Sequence, residues 1–146
     1  MISRYERFSS AVFCIYRDIQ KIQRVEMERH GLKGSHALCL LTLNRHPEGI
    51  TAAHLCEICD KDKAAISRTL SELEHKGLVQ REEPHVYRAA LKLTEEGRET
   101  AGQVEQRAQL AVRKATEGLT ETQGEALYEA LDCLAGNLQK ICKDGL

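Results

Sequence analysis

"AHLCEICDKDKAAISRTLSELEHKGLVQR", residues 53–81, supports two readings at once. Cys56-Glu57-Ile58-Cys59 has the C-x-x-C spacing of half a zinc knuckle or of a redox dithiol. The residues around it read as two short helices joined by a charged turn, the layout of a helix-turn-helix. In the second helix, expected over residues 61–76, Ile66, Leu70 and Leu73 recur at i, i+4 and i+7 and face a core. At about 100° per residue, Ala64, Arg68 and Ser71 point the other way, with Ala65, Ser67 and His75 near the margins. Lys61 and Lys63 stand at the N-terminal end of that face. Small side chains permit close approach to a major groove, an arginine can reach guanine or phosphate, and lysines neutralise the backbone. The helix-turn-helix is the reading that the period favours.

Working outward, Phe8, Val12, Ile15, Ile19, Ile22 and Val25 form one apolar stripe on a long helix from Tyr5 to about Arg29, ended by the glycines of residues 30–34. Ser35 is the expected N-cap of a second helix over residues 36–45, with Leu38 and Leu41 buried. His46-Pro47-Glu48-Gly49 breaks the chain, and Thr51 can cap the helix that carries the two cysteines. After Gly77, extended stretches at 78–81 and 87–94 flank Pro84 and predict a β-hairpin. A further helix from Thr94 to about Gly118 carries a stripe of small residues, Gly97, Ala101, Val104, Ala108, Ala111 and Ala115, suited to close approach of another helix. Thr120 and Gln123 form a capping box for a last helix, where Leu127, Leu131, Leu134, Leu138 and Ile141 repeat at four and three.

The fold class expected is mostly α (α+β): a winged helix-turn-helix at residues 35–94, between dimerisation helices at 1–34 and 95–146. Both ends offer more apolar stripe than residues 35–93 can cover, and a homodimer would bury it. The 146 residues are 42% hydrophobic and 29% charged, which suits a globular helical chain. Net charge is −1, yet residues 61–92 hold seven Lys/Arg against five acids, whereas residues 93–146 hold six against ten. A mildly basic middle thus precedes an acidic last third. The polar start MISRYERFSS and the lack of any long apolar run lead to the expectation of a cytoplasmic protein with no membrane partner and with free thiols. No nucleophile–base pattern or glycine-rich phosphate loop points to an enzyme, and no cofactor is implied.

The stretches "ITAAHLCEICDKDKAAISRTLSELEHKGLVQRE" (50–82) and "YRAALKLTEEGRE" (87–99) carry a Ser-Arg on the second helix, then Leu-x-x-Leu-Glu-x-x-Gly-Leu-Val, an arginine, and Leu-Thr-x-x-Gly. In this pattern residues 32–101 resemble the MarR family of bacterial winged-helix transcription regulators. The resemblance implies binding to double-stranded DNA as a homodimer on a pseudo-palindromic operator, usually as a repressor released by a small-molecule effector. It assigns major-groove contact to Lys61, Lys63, Ala64, Ser67, Arg68 and Thr69, and a contact at the start of the wing to Arg81. Family wings carry an Asp-x-Arg-type tip, whereas this one reads Glu83-Pro84-His85-Val86-Tyr87-Arg88. Arg88 is then the nearest candidate for the minor-groove arginine, with His85 beside it. A family-type effector cleft would draw on Tyr16, His36 and Cys39.

The cysteines divide by position. Cys59 falls on the core side of its helix and Cys56 at the edge, where small or apolar residues serve, and free cysteine packs like one. A zinc knuckle needs a second ligand pair, and the chain has no other C-x-x-C and no H-x-x-x-H. Family members that bind regulatory zinc use histidines on the helix after the wing, and here no histidine follows His85. No metal site is therefore expected. Peroxide-sensing members carry a reactive cysteine early in the first helix near tyrosines, and "VFCIYR" sets Cys14 close to Tyr16 and to the cation Arg17. Oxidant sensing through Cys14 is thus one alternative reading. A winged helix used only as a protein-interaction module is the other.

Overall fold

A computed structural model describes residues 1–83 and 89–146. Helix α1 (Arg4–Glu28) begins in a reciprocal cap: Ser3 Oγ accepts the Glu6 N–H at 3.0 Å, and Glu6 Oε2 accepts the Ser3 N–H at 2.8 Å. It closes at Gly31, whose φ of +67° lets the Leu32 N–H return to the Met27 carbonyl at 3.0 Å. The glycine stop expected there is observed.

A 3₁₀ turn, Gly34–His36, leads into α2 (Ala37–Asn44). Here the expectation needs correction. Lys33 rather than Ser35 stands at the cap position, and its N–H is received by His36 Nδ1 at 3.1 Å. Leu38 is 44% exposed and Leu41 only partly buried, while Ala37, Cys39, Leu40, Thr42 and Leu43 go inside. The segment ALCLLTLN is apolar nearly all the way round, so its own period cannot choose a buried face. The neighbouring elements choose it.

Thr51 caps α3 (Ala52–Cys59), its hydroxyl accepting the His54 N–H at 3.2 Å. Asp60 then takes a left-handed conformation, φ +50°, and Asp62 caps α4 (Lys63–His75) by accepting the Ala65 N–H at 2.7 Å. One residue ends the first helix and another starts the second, so the turn is three residues long. Ile66, Leu70 and Leu73 are buried, as their spacing required. Strands β1 (Val79–Arg81) and β2 (Leu91–Leu93) pair antiparallel, with Val79 opposite Leu93 and Arg81 opposite Leu91. Ile50 bridges the other edge of Leu91. The expected second strand began at residue 87, but the described ladder begins at Leu91. Residues 84–88 lie outside the described residues, and with them the expected contacts His85 and Arg88.

Helix α5 (Glu95–Ala115) starts at Thr94, whose hydroxyl accepts the Gly97 N–H at 3.0 Å and donates to the Gly77 carbonyl at 2.6 Å. Its small-residue stripe splits in two: Gly97, Ala101 and Val104 are buried, whereas Ala108 and Ala115 are exposed. At Gly97 the close neighbour is the backbone of Leu78 rather than another helix.

By its internal contacts the chain divides into units Met1–Ala108 and Gln109–Leu146. In the first, α2 lies at the centre of a core that gathers Met27, Leu55, Leu70, Leu73, Leu91 and Val104 with the residues already named. Each fully buried leucine contributes about 1.5–3 kcal/mol of transfer free energy, and this burial holds α4 in place. The second unit contains α6 (Glu121–Asp144), opened by the expected capping box of Thr120 and Gln123. No residue of α6 is buried, and Leu127, Leu131, Leu134, Leu138 and Ile141 are 38–49% exposed. The α1 stripe from Phe8 to Val25 is likewise exposed.

Candidate nucleic-acid interface

Helix α4 is anchored on one face and open on the other. With Ile66, Leu70 and Leu73 in the core, Lys63, Ala64, Ser67, Arg68 and Ser71 are exposed and Thr69 is half-buried. Among the described residues no carboxylate lies within ion-pairing distance of Lys63 or Arg68. Both cations are therefore available to an anionic partner. The N-terminal end of α4 adds backbone N–H dipoles of the sign that attracts phosphate.

Lys63 and Ser67, one helical turn apart, border a cavity of about 600 Å³ together with Thr51, Cys56, Arg81 and Ala89. The structure thus brings two recognition-helix residues to the base of the wing. Arg81 is not free: its Nη2 lies 3.0 Å from Glu74 Oε1, an ion pair whose angle falls short of a hydrogen bond and leaves that buried oxygen held by charge alone. The pair ties β1 to α4. Lys92 and Glu82 form a second ion pair across the strands.

Lys61 departs from expectation. With α4 beginning at Lys63, it sits in the turn and lines a groove of about 780 Å³ along α1. That groove also takes in Phe13, Tyr16, Arg17, Lys21, Arg24, Lys33 and Leu38. Five of these side chains are cationic and two aromatic. Arg17 lies 6.0 Å from the Phe13 ring centroid and gives its Nε to Asp18 at 3.1 Å.

The expected effector set does not assemble. Tyr16 lines the groove, but Cys39 is packed in the core and His36 is 1% exposed. Burial, with Cys59 alongside, pushes the Cys39 thiol up to about 12, so it packs as a neutral thiol. The Thr42 hydroxyl lies 3.9 Å from Cys59 Sγ in the same cluster, and Cys56 is at its edge. Cys59 and Cys56 thus take the core and edge positions read from the helical period. Cys14 is exposed, but the one cation expected to activate it, Arg17, is engaged with Asp18.

An unforeseen cluster joins the start of α2 to α4. His36 Nδ1 accepts the Lys33 N–H, which places the ring proton on Nε2, and Nε2 donates to Glu72 Oε2. Lys33 Nζ donates to Glu72 Oε1 at 3.1 Å. The His36 hydrogen bond, followed by that from Lys33, holds the Glu72 carboxyl below the usual carboxylate range. A depressed folded-state value means stabilisation that is complete above the unfolded value, about 4.5, and lost as pH falls through the folded one. Thermal midpoints measured from pH 7 to pH 3 are expected to separate wild type from Glu72→Gln above about pH 4.5 and to converge below it. A gap independent of pH would show that the charge contributes nothing. No local pattern announces this cluster, because its members lie 36 and 39 residues apart in the chain.

The profile of the MarR family matches residues 30–88. A search of curated proteins finds no match. Among solved structures, a MarR transcriptional regulator from Methanosarcina mazei aligns with a TM-score of 0.84 at 22% identity, over 95% of this chain and 94% of that one. A MarR family regulator from Listeria monocytogenes, complexed with 26mer DNA, aligns at 0.76 and 22% over 94% and 95%. Staphylococcus aureus MarR, in complex with salicylate and kanamycin, aligns at 0.81 and 22% over 93% of each chain. The resemblance read from the recognition helix and wing therefore stands: residues 30–88 belong to the MarR family, and the fold that carries them is the winged helix of MarR transcription regulators.

Proposed function

We propose that the chain is a cytoplasmic transcription regulator that binds double-stranded DNA as a homodimer and represses by blocking promoter access. The observation that carries this reading is α4: an apolar face locked in the core beneath an outward face of small residues, Lys63 and Arg68. Residues 35–94 are the DNA-binding domain, and 1–34 and 95–146 serve dimerisation. Two recognition helices enter successive major grooves about 34–36 Å apart on a pseudo-palindrome. Lys63, Ala64, Ser67, Arg68 and Thr69 face the groove, with Arg81 and the wing residues His85 and Arg88 alongside. The similarity to a regulator complexed with DNA supports the docking face.

A duplex selected from a random pool provides the test. Affinity is expected to fall steeply between 50 and 200 mM salt as counterions are released, by roughly 10³-fold if six phosphates are contacted. Arg68→Ala is expected to cost about 1–3 kcal/mol and to relax preference at one base position. Affinity that ignores both salt and Arg68 would return the chain to the protein-interaction reading.

The groove beside α1 favours an effector of one chemical kind. Five cations and two aromatic rings suit an aromatic organic anion. Binding there would bias the chain between DNA-competent and DNA-incompetent spacings of the dimer. Benzoate, as a probe, is expected to weaken DNA binding by the wild type and not by Arg24→Ala. Equal response from both proteins would move the effector site elsewhere.

A further inference from the structure

Helix α4 must present Arg68 and Ser67 at a fixed angle if it reads bases, and its buried leucines leave rotation about the helix axis controlled from one side only. The other side is held at Glu72, one turn beyond Arg68. Both carboxylate oxygens of Glu72 are taken, one by the His36 ring and one by the Lys33 ammonium. His36 is itself immobilised, buried and bonded through Nδ1 to the backbone of the turn before α2. An ion pair between two exposed side chains is worth little. This one is anchored by a buried imidazole with a single permitted tautomer, so it has a defined geometry to impose.

We propose that Glu72, clamped by His36 and Lys33, is a positioning residue that sets the orientation of the recognition helix for DNA. The proposal rests on the reading that α4 enters the major groove. It makes a prediction whose sign is opposite to that of simple electrostatics. Removing a carboxylate from the DNA-facing helix should tighten binding to a polyanion if charge alone matters. Removing the clamp should weaken it.

The test measures fluorescence anisotropy on a duplex selected by the wild-type chain, with the thermal midpoint of each variant recorded alongside. Glu72→Ala is expected to weaken binding about ten-fold, the scale of one charge-assisted hydrogen bond, at a midpoint close to that of the wild type. Glu72→Gln, which keeps an oxygen for the His36 Nε2–H, is expected to recover part of that loss. Lys33→Met, a surface change, is expected to have a smaller effect that vanishes in the Glu72→Ala background. Unchanged or tighter binding by Glu72→Ala overturns the clamp and leaves the DNA-binding reading standing. So does a loss explained by the unfolded fraction alone. Failure of the wild type to select any duplex overturns both together.

Discussion

Gly97→Ala is expected to destabilise the chain by about 3 kcal/mol or more, in the upper range for overpacking. A Cβ built on Gly97 falls 2.0 Å from the carbonyl oxygen of Leu78, and a backbone atom cannot swing away as a long side chain can. Nor can the start of α5 retreat freely, because the Thr94 N–H is bonded to that same carbonyl at 2.9 Å and the Thr94 hydroxyl to Gly77. The overpacked residue therefore opposes the contacts that join the wing's first strand to α5. Differential scanning calorimetry should show a fall in Tm of roughly 10 °C. Gly102, on the same helix, meets nothing within 4 Å among the described residues. Gly102→Ala should stabilise by about 0.5–1 kcal/mol through helix propensity. A small loss at Gly97, comparable with the change at Gly102, would mean that α5 can shift away from Leu78.

Leu134→Asp is expected to abolish self-association and to reduce operator affinity by about 100-fold or more. The second number is what is lost when two linked half-site contacts become independent. Leu134 is 39% exposed on a helix with no buried residue, so the substitution opens no cavity in the chain that carries it. It places a charge in the middle of a seam of four leucines and an isoleucine, where a partner helix would have to desolvate it. Sedimentation velocity should show a monomer, with circular dichroism unchanged, and the variant should keep its affinity for a single half-site. Undiminished dimerisation would move the interface away from α6.

Much of the candidate site was legible because it is governed by local periodicity. Ile66, Leu70 and Leu73 at i, i+4 and i+7 must share a face, and that face must be buried, so Ala64, Arg68 and Ser71 must look outward. The same arithmetic placed Cys59 in the core and Cys56 at its edge. Four side-chain caps, Ser3, Thr51, Asp62 and Thr120, show why helix starts are the readable ends: each is a hydrogen bond between residues three apart. Leu38 was misplaced for the converse reason. A helix that is apolar on all sides has no phase to read, and the packing of α1, α3 and β2 around α2 decided which leucine stayed outside.

Composition and spacing by themselves determined the order of the elements, the outward face of the recognition helix, and the family to which its pattern is similar. Those features depend on residues within two or three turns of one another, where one backbone geometry sets every neighbour relation. Tertiary structure alone decided that Lys61 belongs to the turn and its groove, that Arg81 is paired with Glu74, and that Gly97 makes room for a carbonyl rather than for a helix. It also took His36 out of the expected effector cleft and set it against Glu72. These contacts join residues from 7 to 36 positions apart, and the distance between such side chains depends on how whole elements pack. No local rule carries that information, and buried area and hydrogen-bond satisfaction across the finished core supply it.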